Sequence, residues 1–175
     1  MIKENYVRKA ILADALELSP KIRKGDREEI MASEGISPLR ALVMPFTYDN
    51  AKIYSIIGTE KEGVIGMFGS NPTQLPEYGV AWLLSSEDLF KHTKQFLKEC
   101  PYWVAQMSQG YEYIYNFVDK RNWKSLKWLQ FLGFEPKENI ENYGVGKMPF
   151  LLMMKEVNKK HVYYTSRYGR SEDSR

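Results

Sequence analysis

Cysteine and histidine are nearly absent: the 175 residues contain one cysteine, Cys100, and two histidines, His92 and His161. One thiol excludes an internal disulfide framework, and two distant histidines without further ligands at metal spacing exclude a zinc site of the usual kind. Long apolar runs are also missing. The longest, residues 80–84 and 149–154, fall far short of the roughly 18–20 residues that span a bilayer. The first residues, Met1-Ile2-Lys3-Glu4-Asn5, lack the apolar stretch of a secretory signal, so the expected location is a reducing cytoplasm or a particle assembled in one.

A charge excess of either sign is missing as well. Of 25 basic and 22 acidic residues, six basic and three acidic ones lie in residues 155–175, which leaves the first 154 balanced. A nucleic-acid reader concentrates far more basic charge on one face, so nucleic acid is not the expected partner. What the chain does have is apolar mass (43% hydrophobic) sufficient for one core, and 14% aromatic residues including twelve tyrosines, a composition that favours protein interfaces.

The chain reads as strand and helix in alternation. A strand over residues 5–11 precedes a helix from Asp14 bent at Pro20. Residues 24–35 are charged enough for a solvated helix or loop. Ser37-Pro38 starts another helix, which ends near Pro45. Residues 51–59 and 63–70 form a hairpin across Lys61-Glu62-Gly63, and 78–84 is a central strand apolar enough to be buried on both faces. Ser85-Ser86-Glu87-Asp88 supplies a hydroxyl cap with a carboxylate three residues on, opening a helix that Pro101 kinks. A strand over 111–118, a helix over 123–132 stopped by Gly133, and closing strands near 134–137 and 148–157 complete a single α/β domain over residues 1–157. Its mixed (α+β) sheet has six to seven strands flanked by about four helices. Residues 158–175 have no core pattern and form a basic, tyrosine-containing tail or arm.

This order of elements resembles the GCN5-related N-acetyltransferase (GNAT) superfamily. The local match is Asn122-x-x-Ser125 followed by Leu129 and Leu132-Gly133-Phe134, which is similar to the run ending that superfamily's fourth helix. More closely, Glu28-Glu29-Ile30-x-Ala32-x-x-Gly35-Ile36-x-Pro38, Trp82-x-x-Ser85-Ser86-x-Asp88 and Asn122-x-x-Ser125-x-x-Trp128-Leu129 resemble small GNAT-like internal virion proteins of short-tailed phages. The resemblance covers about residues 32–136. It implies acetyl-CoA as the cofactor of an active member, held by Leu84, Ser85, Ser86, Asn122 and Ser125, and location in host cytoplasm or the virion interior.

The catalytic parts of that family are poorly matched. The cofactor loop has no glycine, and Glu87 and Asp88 occupy the positive end of the helix dipole. A pyrophosphate within about 5 Å of either carboxylate would cost on the order of 3 kcal/mol at an effective dielectric of 20. Leu129 stands where the resemblance implies a general-acid tyrosine. Tyr115, with Tyr113 beside it, could replace it, and Glu77 or Glu112 could serve as base. Cys100, beside Phe96 and Leu97, reads as a core residue. The expectation is therefore a catalytically degenerate phage protein acting in virion assembly, with no cofactor; the alternative is an active acetyltransferase, in which Lys120, Arg121 and Lys124 meet the cofactor's phosphates.

On the last helix, Asn122, Leu126, Leu129 and Gly133 share the face toward the sheet. The opposite face carries Lys124, Lys127, Trp128 and Phe131. Two large rings among lysines call for a cover, either the C-terminal arm with Tyr163, Tyr164 and Tyr168 or a protein partner or neighbouring subunit.

Overall fold

The computed structural model describes residues 6–158. Seven strands form one sheet in the order β1-β2-β3-β4-β5-β7-β6. They are β1 (Val7–Lys9), β2 (Lys52–Ile57), β3 (Val64–Pro72), β4 (Tyr78–Ser85), β5 (Tyr113–Asp119), β6 (Glu135–Tyr143) and β7 (Met148–Glu156). Every neighbouring pair is antiparallel except β4 with β5. The five α-helices are α1 (Leu12–Leu18), α2 (Lys24–Ser33), α3 (Pro38–Val43), α4 (Thr93–Ser108) and α5 (Trp123–Phe131). The mixed α/β architecture matches the sequence reading, with one helix more than expected.

Two apolar clusters flank the sheet. Phe68, Ala81, Ile114, Val118 and Met153 meet Phe96, Cys100, Val104 and Met107 of α4 on one side. On the other, Met67 and Leu84 meet Ala15, Leu18, Ile30 and Leu42 of α1, α2 and α3. β4 contributes to both clusters, as a central strand covered on two sides must.

Local signals hold at most boundaries. Ser37 Oγ accepts from the Arg40 N–H at 3.2 Å at the start of α3, with Pro38 in the first turn. Gly133 follows α5 at φ 90°, a conformation that disfavours a β-carbon. Three readings need correction. The cap after β4 is Ser86, not Ser85; its Oγ accepts from the Asp88 N–H at 3.3 Å and opens a 3-10 turn over Glu87–His92, with α4 starting only at Thr93. α4 then continues through Pro101 to Ser108 without a break. Residues 24–33 form a helix that is not merely solvated, because Asp26, Ile30 and Ala32 are buried.

Candidate functional site

The sheet opens at its centre. β4 and β5 pair only over residues 78–80 with 113–115, and their C-terminal halves have no mutual ladder. The opening reaches both faces. Toward α4 and α5 it widens into a cavity of about 80 Å³ bounded by Phe96, Cys100, Trp128 and Leu129. Toward α2 and α3 it widens into a cleft of about 330 Å³ bounded by Tyr48, Tyr115, Phe117 and Tyr143. Glu29, Trp82, Leu83 and Asn116 line both spaces, so these four mark the passage through the sheet.

α2 bridges the gap between the separated strand ends. Asp26 Oδ2 accepts from the Ser85 N–H at the end of β4 (3.1 Å), and Glu29 Oε2 accepts from the Asp119 N–H at the end of β5 (3.0 Å). Two backbone donors that a continuous ladder would have used are thus satisfied by carboxylates. Asn122, at the start of α5, donates its amide to both Asp26 Oδ1 (3.2 Å) and Glu29 Oε2 (3.1 Å). Arg23 closes the network: it contacts Asp26 Oδ1 at 2.5 Å and donates to Asn122 Oδ1 and Ser125 Oγ, both at 2.8 Å. Arg23, Asp26 and Asn122 are only 5%, 2% and 4% exposed. A β-carbon on Gly25 would stand 2.9 Å from the Arg23 guanidinium and 3.4 Å from Asn122 Oδ1, so glycine there admits the close approach of α2.

The charges in this network do not balance. Arg23 supplies one cation against the carboxyls of Asp26 and Glu29, while Asp119 is matched by Arg121 at 2.6 Å. Burial raises the Asp26 pKa against the pull of Arg23. Burial first, and the Asp26 carboxylate second, push Glu29 up to about 8. Both carboxyls are thus driven toward the protonated form, and the Glu29 carboxyl is the one that lines the passage.

The predicted site residues divide into those this arrangement brings together and those it does not. Asn122 and Ser125 are joined through Arg23. Leu84, Ser85 and Ser86 lie at the end of β4, with their backbone groups engaged: Ser85 N–H goes to Asp26, Ser85 C=O accepts from the Arg23 N–H, and Ser86 N–H donates to the Ile65 carbonyl at 2.9 Å. Tyr115 borders the cleft, where burial raises its pKa. Glu77 and Glu112 lie at the opposite, paired end of β4 and β5, both exposed, with the Glu112 N–H donating to the Glu77 carbonyl; neither lines the opening.

Lys120, Arg121 and Lys124, read as free for phosphates, are each matched by a carboxylate: Glu141 at 3.6 Å, Asp119 at 2.6 Å and Glu87 at 3.7 Å. Cys100 is buried in the α4 core, where burial pushes its thiol well above its ordinary pKa. His92 pairs with Glu62 at 2.7 Å, and among the described residues no group of three His, Cys, Asp or Glu is placed to hold a metal. His161 lies outside the described residues.

Trp128 and Phe131 are not bare. Both pack on the apolar cluster beside α4, and Trp128 stacks on Phe90 at 5.4 Å and lies tilted against Phe96 at 4.6 Å between ring centroids. The helical wheel assigned them to an outer face because it could not show that α4 rises beside α5 on that side. The cover is α4 and its preceding turn, and Tyr163, Tyr164 and Tyr168 lie outside the described residues. Lys124 lies over Phe90 at 4.0 Å, and Lys127 over Trp123 at 4.9 Å, which leaves Trp123, 56% exposed, as the large ring open to solvent on α5.

Arg23, Asp26 and Glu29 were not anticipated as site residues. A signal existed: in residues 24–33, Asp26 and Glu29 fall on the same helical face as the buried Ile30, an unusual position for two acids.

A central parallel pair that separates after a short ladder, inside an otherwise antiparallel sheet, decides the architecture. The fold is that of the GNAT acetyltransferases. Among solved structures, a GNAT-family acetyltransferase from Bacillus anthracis matches with TM-score 0.66 and 11% identity over 90% of this chain and 99% of that one. The ribosomal-protein-S5-alanine acetyltransferase of Vibrio fischeri matches with TM-score 0.63 and 18% identity over 90% and 96%. The ribosomal-protein-S18-alanine N-acetyltransferase of Escherichia coli matches with TM-score 0.62 and 9% identity over 89% and 95%. No family model and no curated protein matches the sequence. At these identities the likeness shows the GNAT fold alone. Among the described residues no helix is long and apolar enough to cross a membrane.

Proposed function

We propose that the chain is a GNAT-fold protein that has given up acetyl-CoA turnover and serves as a component of virion assembly or of the virion interior. The observation that carries this reading is the closed mouth at the end of β4. A pyrophosphate needs free N–H groups at the start of the following helix. In the turn that separates β4 from that helix, Ser86 N–H goes to the Ile65 carbonyl, Asp88 N–H to Ser86 Oγ and Leu89 N–H to the Ser86 carbonyl, and α4 itself starts only at Thr93. Glu87 is tied across to Lys124, Phe90 stacks on Trp128, and the space behind them is about 80 Å³. A pocket for a drug-sized ligand is roughly 300–1,000 Å³, and the space on the α4–α5 side of the passage is smaller than that, which argues against acetyl-CoA on that side.

Charge repulsion contributes less to this closure than the sequence suggests, because Glu87 faces Lys124 and Asp88 faces Lys91 at 2.6 Å. Spent donors and stacked rings contribute more. The placement in a phage particle rests on the resemblance of residues 32–136. The protein partner it calls for would meet the exposed Trp123 with Lys124 and Lys127, since Trp128 and Phe131 are engaged internally.

The second reading, an active acetyltransferase modifying a host or phage protein, is favoured by Glu29. Its carboxyl stands in the passage between the two faces with a pKa pushed up to about 8, suited to take a proton from an amine, and Tyr115 borders the same cleft. Particles made with Glu29→Gln separate the two. The assembly reading predicts infectivity equal to the parent; loss of infectivity with normal particle composition would transfer the function to catalysis.

A further inference from the structure

On the face of β7 turned toward α4, and just past its end, stand Leu151, Met153, Lys155 and Val157. Three of them join the apolar cluster on that side, so a lysine occupies a position where alternation calls for a hydrophobe. Lys155 is 8% exposed, and among the described residues no carboxylate, carbonyl or ring pairs with its ammonium. Burial holds its pKa below the ordinary lysine value. The stem is buried, while the ammonium at its end reaches the open space beside it, with no anion among the described residues.

The side chain lines a cleft of about 490 Å³ between the C-terminal half of α4 and the end of β7. Pro101, Val104, Ala105, Tyr111 and Val157 supply apolar walls, Ser108, Gln109 and Asn158 supply polar groups, and among the described residues no Asp or Glu lines it. The negative end of the α4 dipole could have been the compensation, but that end is already served: Lys52 donates to the Gln109 carbonyl and lies over the Tyr111 ring at 4.7 Å. Among the described residues, the Lys155 charge faces a cleft without an anion.

We propose that this cleft binds a carboxylate carried on a small apolar body, with Lys155 as its counter-ion. One ammonium neutralises one negative charge, and the dry walls favour an alkyl or aliphatic side chain over a hydrated dianion. Free short-chain acids and the C-terminal carboxylate of a peptide share this chemistry. The cleft lies where β5 and β7 pair at Tyr113 and Glu156, at the opposite end of β5 from the passage, so the proposal stands independently of any acetyl-CoA reading.

The test is an amide NMR titration of the full chain with sodium hexanoate, hexanol and inorganic phosphate, and with N-acetyl-Gly-Leu-Val as free acid and as amide. Hexanoate should give saturable shifts at Ala105, Gly110 and Val157, with Lys155→Met weakening it by about tenfold or more and leaving hexanol unchanged. Ala105→Glu, an exposed helical change, should weaken hexanoate similarly and keeps the test intact if Lys155→Met fails to fold. Tighter binding of the peptide acid than of hexanoate would assign the site to a chain terminus, and the reverse to a free acid. No saturation by about 20 mM hexanoate, equal response to phosphate, or unchanged affinity in both variants would overturn it.

Discussion

At the scale of single residues, Glu29 is the titratable group that lines both ends of the passage. Its carboxyl has an ordinary pKa of 4.5 and is pushed up to about 8 by burial and by Asp26. The folded state therefore holds a proton that the unfolded chain has released between those values, and stability falls as pH rises through that window, by up to about 1.4 kcal/mol per pH unit. Below 4.5 the effect is absent, and above 8 the loss is complete. Glu29→Gln keeps an acceptor for the Asp119 and Asn122 N–H groups and removes the titration. It should melt higher than the parent at pH 8 and equally at pH 4; equal melting at both would show that Glu29 is not held protonated. Sequence reasoning found Asn122 and Ser125 through a motif but missed their partners Arg23 and Asp26, 99 and 96 positions from Asn122. Long-range polar pairing leaves no periodic trace.

At the scale of elements, α5 is the most informative. Gly133 at φ 90° ends it, and Gly133→Val should destabilise by more than about 1 kcal/mol, read as a lowered denaturant midpoint at unchanged slope. Trp128 and Phe131 seat the helix beside α4. Replacing both with Ser should cost roughly 3–6 kcal/mol in the monomer's unfolding free energy; a melt within about 0.5 kcal/mol of the parent would return these rings to an intermolecular role. Elements with strong local chemistry were legible: the Ser37-Pro38 start, the β2–β3 hairpin, the run of β4 and the stop at Gly133 all correspond to structure. Two features were not. α2 looked solvated because half of its residues are charged, although two of its acids are drawn inward by backbone donors at the strand ends. The outer face of α5 looked bare because a wheel shows one helix and not its neighbour.

At the scale of the whole molecule, a GNAT-fold sheet opens between β4 and β5, and the strand ends beside the opening are bridged by side chains. α2 bridges the strand ends, Arg23 and Asn122 join it to α5, and Phe90 stacks on Trp128 beside the Glu87–Lys124 pair; under the proposed function this amounts to closure of the mouth. Calorimetric titration of the full chain with acetyl-CoA tests this account most directly. Closure predicts no binding tighter than about 100 µM, and a dissociation constant below about 10 µM, or roughly 7 kcal/mol of binding, would contradict it.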